Sequence, residues 1–166
     1  SPVLAVVRMP KEDRPAELPG GLALALDSVR DPGNFGTILR IADWFGVSQV
    51  FASPDSVETF NPKTVQASMG SVFRVRVSRC DIAALCAEFS SAGRRVYGTV
   101  LGGENIYSAQ LAADGLVVMG NESNGISAEV RRLLDCRLRI PSFGGGAESL
   151  NVAVATAVTL SEFRRR

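Results

Sequence analysis

Apolar residues come in short unbroken runs along this chain, and between the runs hydrophobic positions recur every three or four residues. The runs have strand length: Leu22–Val29, Gln49–Ala52, Val72–Val77, Arg95–Leu101, Leu116–Met119 and Leu138–Ile140. Continuous polarity, not alternation, is what a strand covered on both faces requires. The spacing predicts helices over Phe35–Phe45, Lys63–Met69, Asp81–Ala92 and Ser127–Leu134, and a last one from about Leu150 to Phe163. In the first helix Ile38, Ile41, Ala42 and Phe45 share a face, with Gly36, Arg40 and Asp43 off it. Asp81 and Ser127 stand where N-caps belong, and Gly93 ends the third helix. Strand and helix alternate, so an α/β domain with a mainly parallel sheet flanked by helices is expected. Residues 1–20 break the pattern, with Pro2, Pro10, Pro15 and Pro19 around one apolar run, Val3–Val7. They read as a lead-in, and residues 21–166 as the domain proper.

A length of 166 residues suits one domain with a real core. No apolar run is long enough to span a bilayer and no basic-then-apolar leader opens the chain, so a cytoplasmic protein is expected. Cys80, Cys86 and Cys136 are odd in number and not spaced like metal ligands; they read as reduced thiols, and no metal is expected. The net charge of +1 points to no partner by itself. Of the 18 basic residues only Lys11 and Lys63 are lysines. Arginine suits phosphate, although GC-rich codon usage explains the excess as well. The absence of histidine excludes Ser-His, Cys-His and His-metal chemistry.

Ligands of open α/β sheets bind beyond the carboxyl ends of the strands. Four segments at such positions are rich in Gly, Asn, Pro or acid: Asp31–Gly36, Gly102–Tyr107, Gly120–Ser127 and Pro141–Asn151. Turn chemistry explains any one of them; four at one end of a sheet point to a binding crevice. The run Gly144-Gly145-Gly146 lacks the third glycine of a dinucleotide fingerprint, and no Gly-Lys-Ser/Thr follows it, which disfavours a plain Rossmann or P-loop enzyme. Asn34 is placed to cap the first helix, and Arg40 to pair with Asp43 on the surface. Glu122 supplies a carboxylate at a strand end, and Ser149 is placed to cap the last helix. Each of these residues has a plain structural reading when taken alone.

Taken in order, three segments resemble the motifs of the SpoU-type RNA ribose methyltransferases of the SPOUT superfamily. They are LDSVRDPGNFGTILRIADWFGV with Asn34 and Arg40, VVMGNESNGIS centred on Glu122, and LRIPSFGGGAESLNVAVATAV with Ser149, Leu150 and Asn151. The resemblance covers Leu22 to the end and implies a C-terminal trefoil knot, an exception to ordinary topology rules. It implies S-adenosylmethionine as methyl donor, held by Thr99, Leu101, Gly120, Ile140, Ser149 and Leu150. It also implies RNA as substrate (tRNA or rRNA), a homodimer packed partly through the last helix, and often an N-terminal RNA-binding domain. Residues 1–20 would then be the end of a linker from such a domain.

The implied catalytic set is Arg40, Asn34, Glu122 and Asn151, acting on a ribose 2′-hydroxyl. A guanidinium stays protonated in proteins, so Arg40 is expected to bind the neighbouring phosphate and stabilise the developing oxyanion. The proton leaves to water, phosphate or Glu122, while Asn34 and Asn151 orient the groups. Two alternatives remain: a knotted methyltransferase acting on an RNA base, and a non-catalytic RNA-binding or assembly factor of the same fold. The Asn34/Arg40 pair argues against the first, and three intact motifs against the second.

Overall fold

Six strands account for the apolar runs: β1 Leu22–Leu26, β2 Gln49–Ala52, β3 Arg76–Arg79, β4 Val96–Asn105, β5 Gly115–Met119 and β6 Cys136–Arg139. Five α-helices connect or follow them: α1 Pro32–Trp44, α2 Pro62–Ser68, α3 Ile82–Ser91, α4 Ala128–Arg132 and α5 Val152–Arg165. This computed structural model describes residue 6, residues 8–144, residue 146 and residues 148–165. Most of the run Val3–Val7, the middle glycine of Gly144–Gly146 and the terminal Arg166 therefore lie outside the described residues.

The strands pair in the order β3-β2-β1-β5-β4-β6, every pair parallel. All residues of β1, β2 and β5 are buried, as their unbroken apolar sequence requires. Leu22, Leu24 and Leu26 pack with Phe35, Ile38 and Leu39 of α1 and with Leu160 and Phe163 of α5. Ala23 and Ala25 turn to the other face, towards Ile82, Leu85 and Phe89 of α3. Each large side chain buried in this way contributes about 1.5–3 kcal/mol.

The chain departs from the sequence expectation at several places. Val72–Val77 is not one strand: Ser71–Phe73 form a 3-10 turn, and β3 begins at Arg76. Asp43 of α1 accepts from Ser71 Oγ at 2.7 Å and from Arg74 Nε at 2.8 Å, pinning this stretch against α1 before it can extend. Gly102–Tyr107 is largely strand, not loop, because β4 bulges after Thr99 and pairs again with β6 at Glu104 and Asn105. Gly36 is buried: a Cβ there would lie 2.4 Å from the Thr64 carbonyl oxygen, so its bareness lets α2 close on α1.

The small-residue side of α5 is used within the chain. Val152, Ala153, Thr156, Thr159, Leu160 and Phe163 are buried, leaving Val154 half exposed. Nor are its final arginines a free basic tail. Arg164 Nε donates to the Phe45 carbonyl at 2.8 Å, closing the end of α1, and Arg165 pairs with Glu162.

Candidate active site

The sheet runs one way from β1 to β2 and β3, while β5 lies on the other side of β1, so the carboxyl ends of β1 and β5 form the switch point where α/β sheets bind ligands. From β1 the chain enters the loop Asp27–Asp31, where Ser28 has a positive φ of 60°. This conformation costs about 1–3 kcal/mol for a residue other than glycine and persists where neighbours over-determine it. They do so here. The Ser28 N–H donates to Ser53 Oγ at 2.8 Å, its carbonyl accepts from Asn121 Nδ2 at 2.7 Å, and its hydroxyl donates to Asp55 at 2.6 Å. Hydrogen bonds from Ser28, then Ser53 and Arg30, hold the Asp55 carboxyl well below the usual carboxylate range. Buried Asp27 accepts the Ser127 N–H at 2.7 Å and ties the same loop to the start of α4.

The residue capping α1 is Asp31, not Asn34: its carboxylate accepts the Asn34 N–H at 2.7 Å. Asn34 lies in the first turn with its amide free for other work. Its Nδ2 donates to Glu122 at 3.2 Å, and its Oδ1 accepts from Asn151 Nδ2 at 2.8 Å. Glu122 also accepts from the Asp31 N–H at 3.1 Å, the Arg30 N–H at 3.4 Å and Asn121 Nδ2 at 3.3 Å. A carboxylate facing the opening turn of a helix also meets the positive end of its dipole. Asn151, and not Ser149, caps α5, accepting from the Ala153 N–H at 2.9 Å and the Val154 N–H at 3.3 Å. One chain of bonds, Glu122 to Asn34 to Asn151, joins three segments far apart in sequence.

Arg40 stands two turns further along α1, about 9 Å from Asn34 along the axis. It is exposed and forms no hydrogen bond or ion pair among the described residues. The expected pair with Asp43 does not form: Asp43 binds Arg74 at 2.7 Å, and that contact holds its carboxyl below its ordinary value. The Arg40 guanidinium is open to solvent.

Gly120 and Ile140 directly follow β5 and β6, the neighbours of β4, while Thr99 and Leu101 lie within β4, at and inside its bulge. Thr99 Oγ1 reaches Met119 Sδ at 3.5 Å, and Leu101 sits in the β4 bulge with 72% of its surface exposed. The bulge shifts the register with β6 between Thr99 and Glu104, and Gly103 within it packs on the β6 backbone, its carbonyl accepting from Arg139 Nε at 3.4 Å. Ser149 and Leu150 are exposed on the approach to Asn151. Gly120 has an internal reason to be glycine: a Cβ would lie 2.2 Å from the Gly125 carbonyl carbon and the Ile126 nitrogen, inside the turn that Asn121 and Gly125 close. A surface hollow of about 420 Å³ lies elsewhere, beside Ser90, Arg94 and Asp135. Among the described residues no cluster of His, Cys, Asp and Glu is placed to hold a metal ion, and no helix is long and apolar enough to cross a membrane.

Sequence reasoning missed the support beneath this site. Ser53, Asp55 and Ser56, in the loop after β2, hold Ser28, Val29 and Arg30. The only signal was a polar Ser-Pro-Asp-Ser run at a strand exit, which reads as an ordinary turn.

A parallel α/β sheet has three such segments meeting at its switch point, in the order that the SpoU-type motifs led one to expect. The chain belongs to the SpoU rRNA Methylase family, whose model matches residues 21–161. It is 34% identical over 163 residues to the 23S rRNA (guanosine(2553)-2'-O)-methyltransferase RlmP of Bacillus subtilis, covering 98% of this chain and 64% of that protein. Its fold matches the SpoU methyltransferase AviRb from Streptomyces viridochromogenes, solved in complex with the cofactor AdoMet, with TM-score 0.83 and 30% identity over 95% of this chain and 62% of that one. The A. aeolicus TrmH/SpoU tRNA modifying enzyme matches with TM-score 0.76 and 28% identity over 87% of this chain and 74% of that one. The chain spans just under two thirds of the length of RlmP.

Proposed function

We propose that this chain is the catalytic domain of an S-adenosylmethionine-dependent RNA 2′-O-methyltransferase. The observation that carries the reading is the bonded chain Glu122–Asn34–Asn151, which brings the three motifs together, with Arg40 unpaired further along the same helix α1. The exposed side chains of Leu101 and Leu150 suit an adenosyl group, whose flat ring takes apolar cover. Thr99, Leu101, Gly120, Ile140, Ser149 and Leu150 would hold it. When bound, the donor supplies a methyl group already activated on a sulfonium.

The chain's own residues then have two tasks, alignment and charge stabilisation. Arg40 binds the phosphate beside the target ribose and stabilises the oxygen as negative charge develops there. Asn34 and Asn151 orient the acceptor side. Glu122, with its oxygens facing four N–H donors, positions the first motif, and the proton leaves to water or phosphate.

RNA is the partner, as the names of RlmP and the A. aeolicus enzyme say of those proteins, and rRNA or tRNA is the substrate class. The cytoplasm is the compartment where such RNA is met. The family resemblance carries the expectation of a knot in the C-terminal part. Half-exposed Val154 and Leu150 support a homodimer through the start of α5. Residues 1–20 would lead in from an RNA-binding domain. Calorimetry with S-adenosylmethionine, followed by mass spectrometry of nucleosides from RNA of cells lacking the gene, tests the reading. Donor binding and the loss of one 2′-O-methyl nucleoside are expected; a chain that binds no donor, or a lost base methylation, would overturn it.

A further inference from the structure

We propose that Arg79 is a positioning residue for the reaction, acting by holding the loop after β2 as a shelf beneath the β1–α1 loop. Its kinetic consequence rests on the function proposed above; its structural consequence does not. Arg79 is the last residue of the edge strand β3, yet its side chain is only 18% exposed. Its five N–H groups meet five acceptors. These are the carbonyls of Ser53 at 3.2 Å, Ser56 at 2.9 Å and Val57, the Thr59 hydroxyl at 3.4 Å, and the Glu12 carboxylate at 3.0 Å. The guanidinium also lies over the ring of Phe35, 5.7 Å from its centroid. Phe35 adjoins Asn34, so one side chain touches both the shelf and the helix turn that carries the motif.

What the shelf holds gives Arg79 its consequence. Ser53 Oγ accepts the Ser28 N–H at 2.8 Å, Ser56 Oγ accepts the Val29 N–H at 3.2 Å, and the Val57 N–H donates to the Val29 carbonyl at 3.0 Å. Two bonds further on, the loop meets Asn121 and Glu122. Burying a guanidinium is costly unless its donors are met, and here most are spent on the carbonyls of one short loop. A planar fork spans several carbonyls at once; the single nitrogen of a lysine cannot. The lead-in takes part as well. The Arg79 N–H reaches the Glu12 carbonyl at 3.4 Å, and Ser78 Oγ donates to the Asp13 carbonyl at 3.0 Å, so Glu12 docks on β3 and helps orient the fork.

The test uses the full chain with Arg79→Lys and Arg79→Gln, and Arg76→Ala as the control for an exposed arginine on the same strand. Amide exchange at Ser28 and Val29 reads the shelf without any substrate. Calorimetry with S-adenosylmethionine reads the donor side, and single-turnover methylation at saturating donor reads the acceptor side. Arg79→Lys is expected to lose protection at both amides and to slow turnover about ten- to a hundredfold, the scale of a small misplacement from a distant residue. Donor affinity stays at the parent value, and Arg76→Ala matches the parent throughout. Unchanged protection in Arg79→Lys would overturn the proposal. So would lost protection with normal turnover, or turnover and donor affinity falling together. If Arg79→Gln does not fold, Arg79→Lys decides. A parent chain that transfers no methyl group would count against the functional reading, while amide protection would still decide the shelf.

Discussion

The two sides of the crevice are built differently. On the β1 side Ser28, Val29, Arg30, Asp31 and Asn34 are each bonded to side chains from other parts of the fold or to the helix cap. On the side of β4 and β6, Leu101 and Phe143 are 72% and 94% exposed, and Ser149 and Leu150 lie open ahead of the Asn151 cap. Groups that must meet a developing charge gain most from being fixed before the ligand arrives. Segments that wrap a ligand are drawn from the less tightly held parts of a structure. On the function proposed above, the acceptor would meet the first side and the donor the second.

The sharpest way to break this division is Arg40→Ala. Turnover at saturating donor is expected to fall by at least about a hundredfold, the scale of losing one preorganised contact, with donor affinity unchanged. Arg40→Lys should restore little, since a point charge does not replace a planar fork on phosphate. Single-turnover kinetics read both, and near-normal rates in Arg40→Ala would remove Arg40 from the mechanism.

Gly120→Ala probes the seam between the two sides. The added Cβ must displace the Gly125–Ile126 backbone, at a cost of about 1–3 kcal/mol, so the melting temperature and donor affinity should fall together. An Ala variant with parent stability and affinity would show that the seam yields freely.

The smallest effect expected is that of pH on stability. Asp55, Asp43 and Glu88 are held below their ordinary values by their hydrogen-bonding partners. A carboxyl whose folded value is depressed adds stability that is complete above its unfolded value and is lost as pH falls through the folded one. With no histidine in the chain, the melting temperature should be level between about pH 5 and pH 8 and drop only in acid. Thermal melts across that range check this, and a step near pH 6.5, roughly where histidine titrates, would contradict it.

The sequence was most legible where burial alone determines structure. β1, β2 and β5 are covered on both faces, and their apolar runs said so. It was least legible where one segment depends on another distant in the chain. Val75 and Val77 suggested a strand from Val72, but Asp43, about thirty residues earlier, holds Ser71 and Arg74 in a turn. Asn34 and Ser149 are reasonable caps by residue type, yet Asp31 and Asn151 take those places because the Asn34 amide is engaged by Glu122 and Asn151. The motif residues of the site could be picked out because three segments in order resemble the SpoU-type motifs. The Ser53–Ser56 shelf and Arg79 could not, because their importance lies in which backbone atoms they touch.

Methyl transfer to a ribose oxygen leaves a chemical mark that no base methylation imitates: the modified nucleotide resists alkaline cleavage of its 3′ linkage. The most direct measurement incubates RNA from cells lacking the gene with this chain and S-adenosylmethionine labelled in the methyl group. After alkaline hydrolysis the label should appear in an alkali-resistant dinucleotide, and Arg40→Ala should yield almost none. Label released in mononucleotides, or none transferred at all, would contradict ribose methylation.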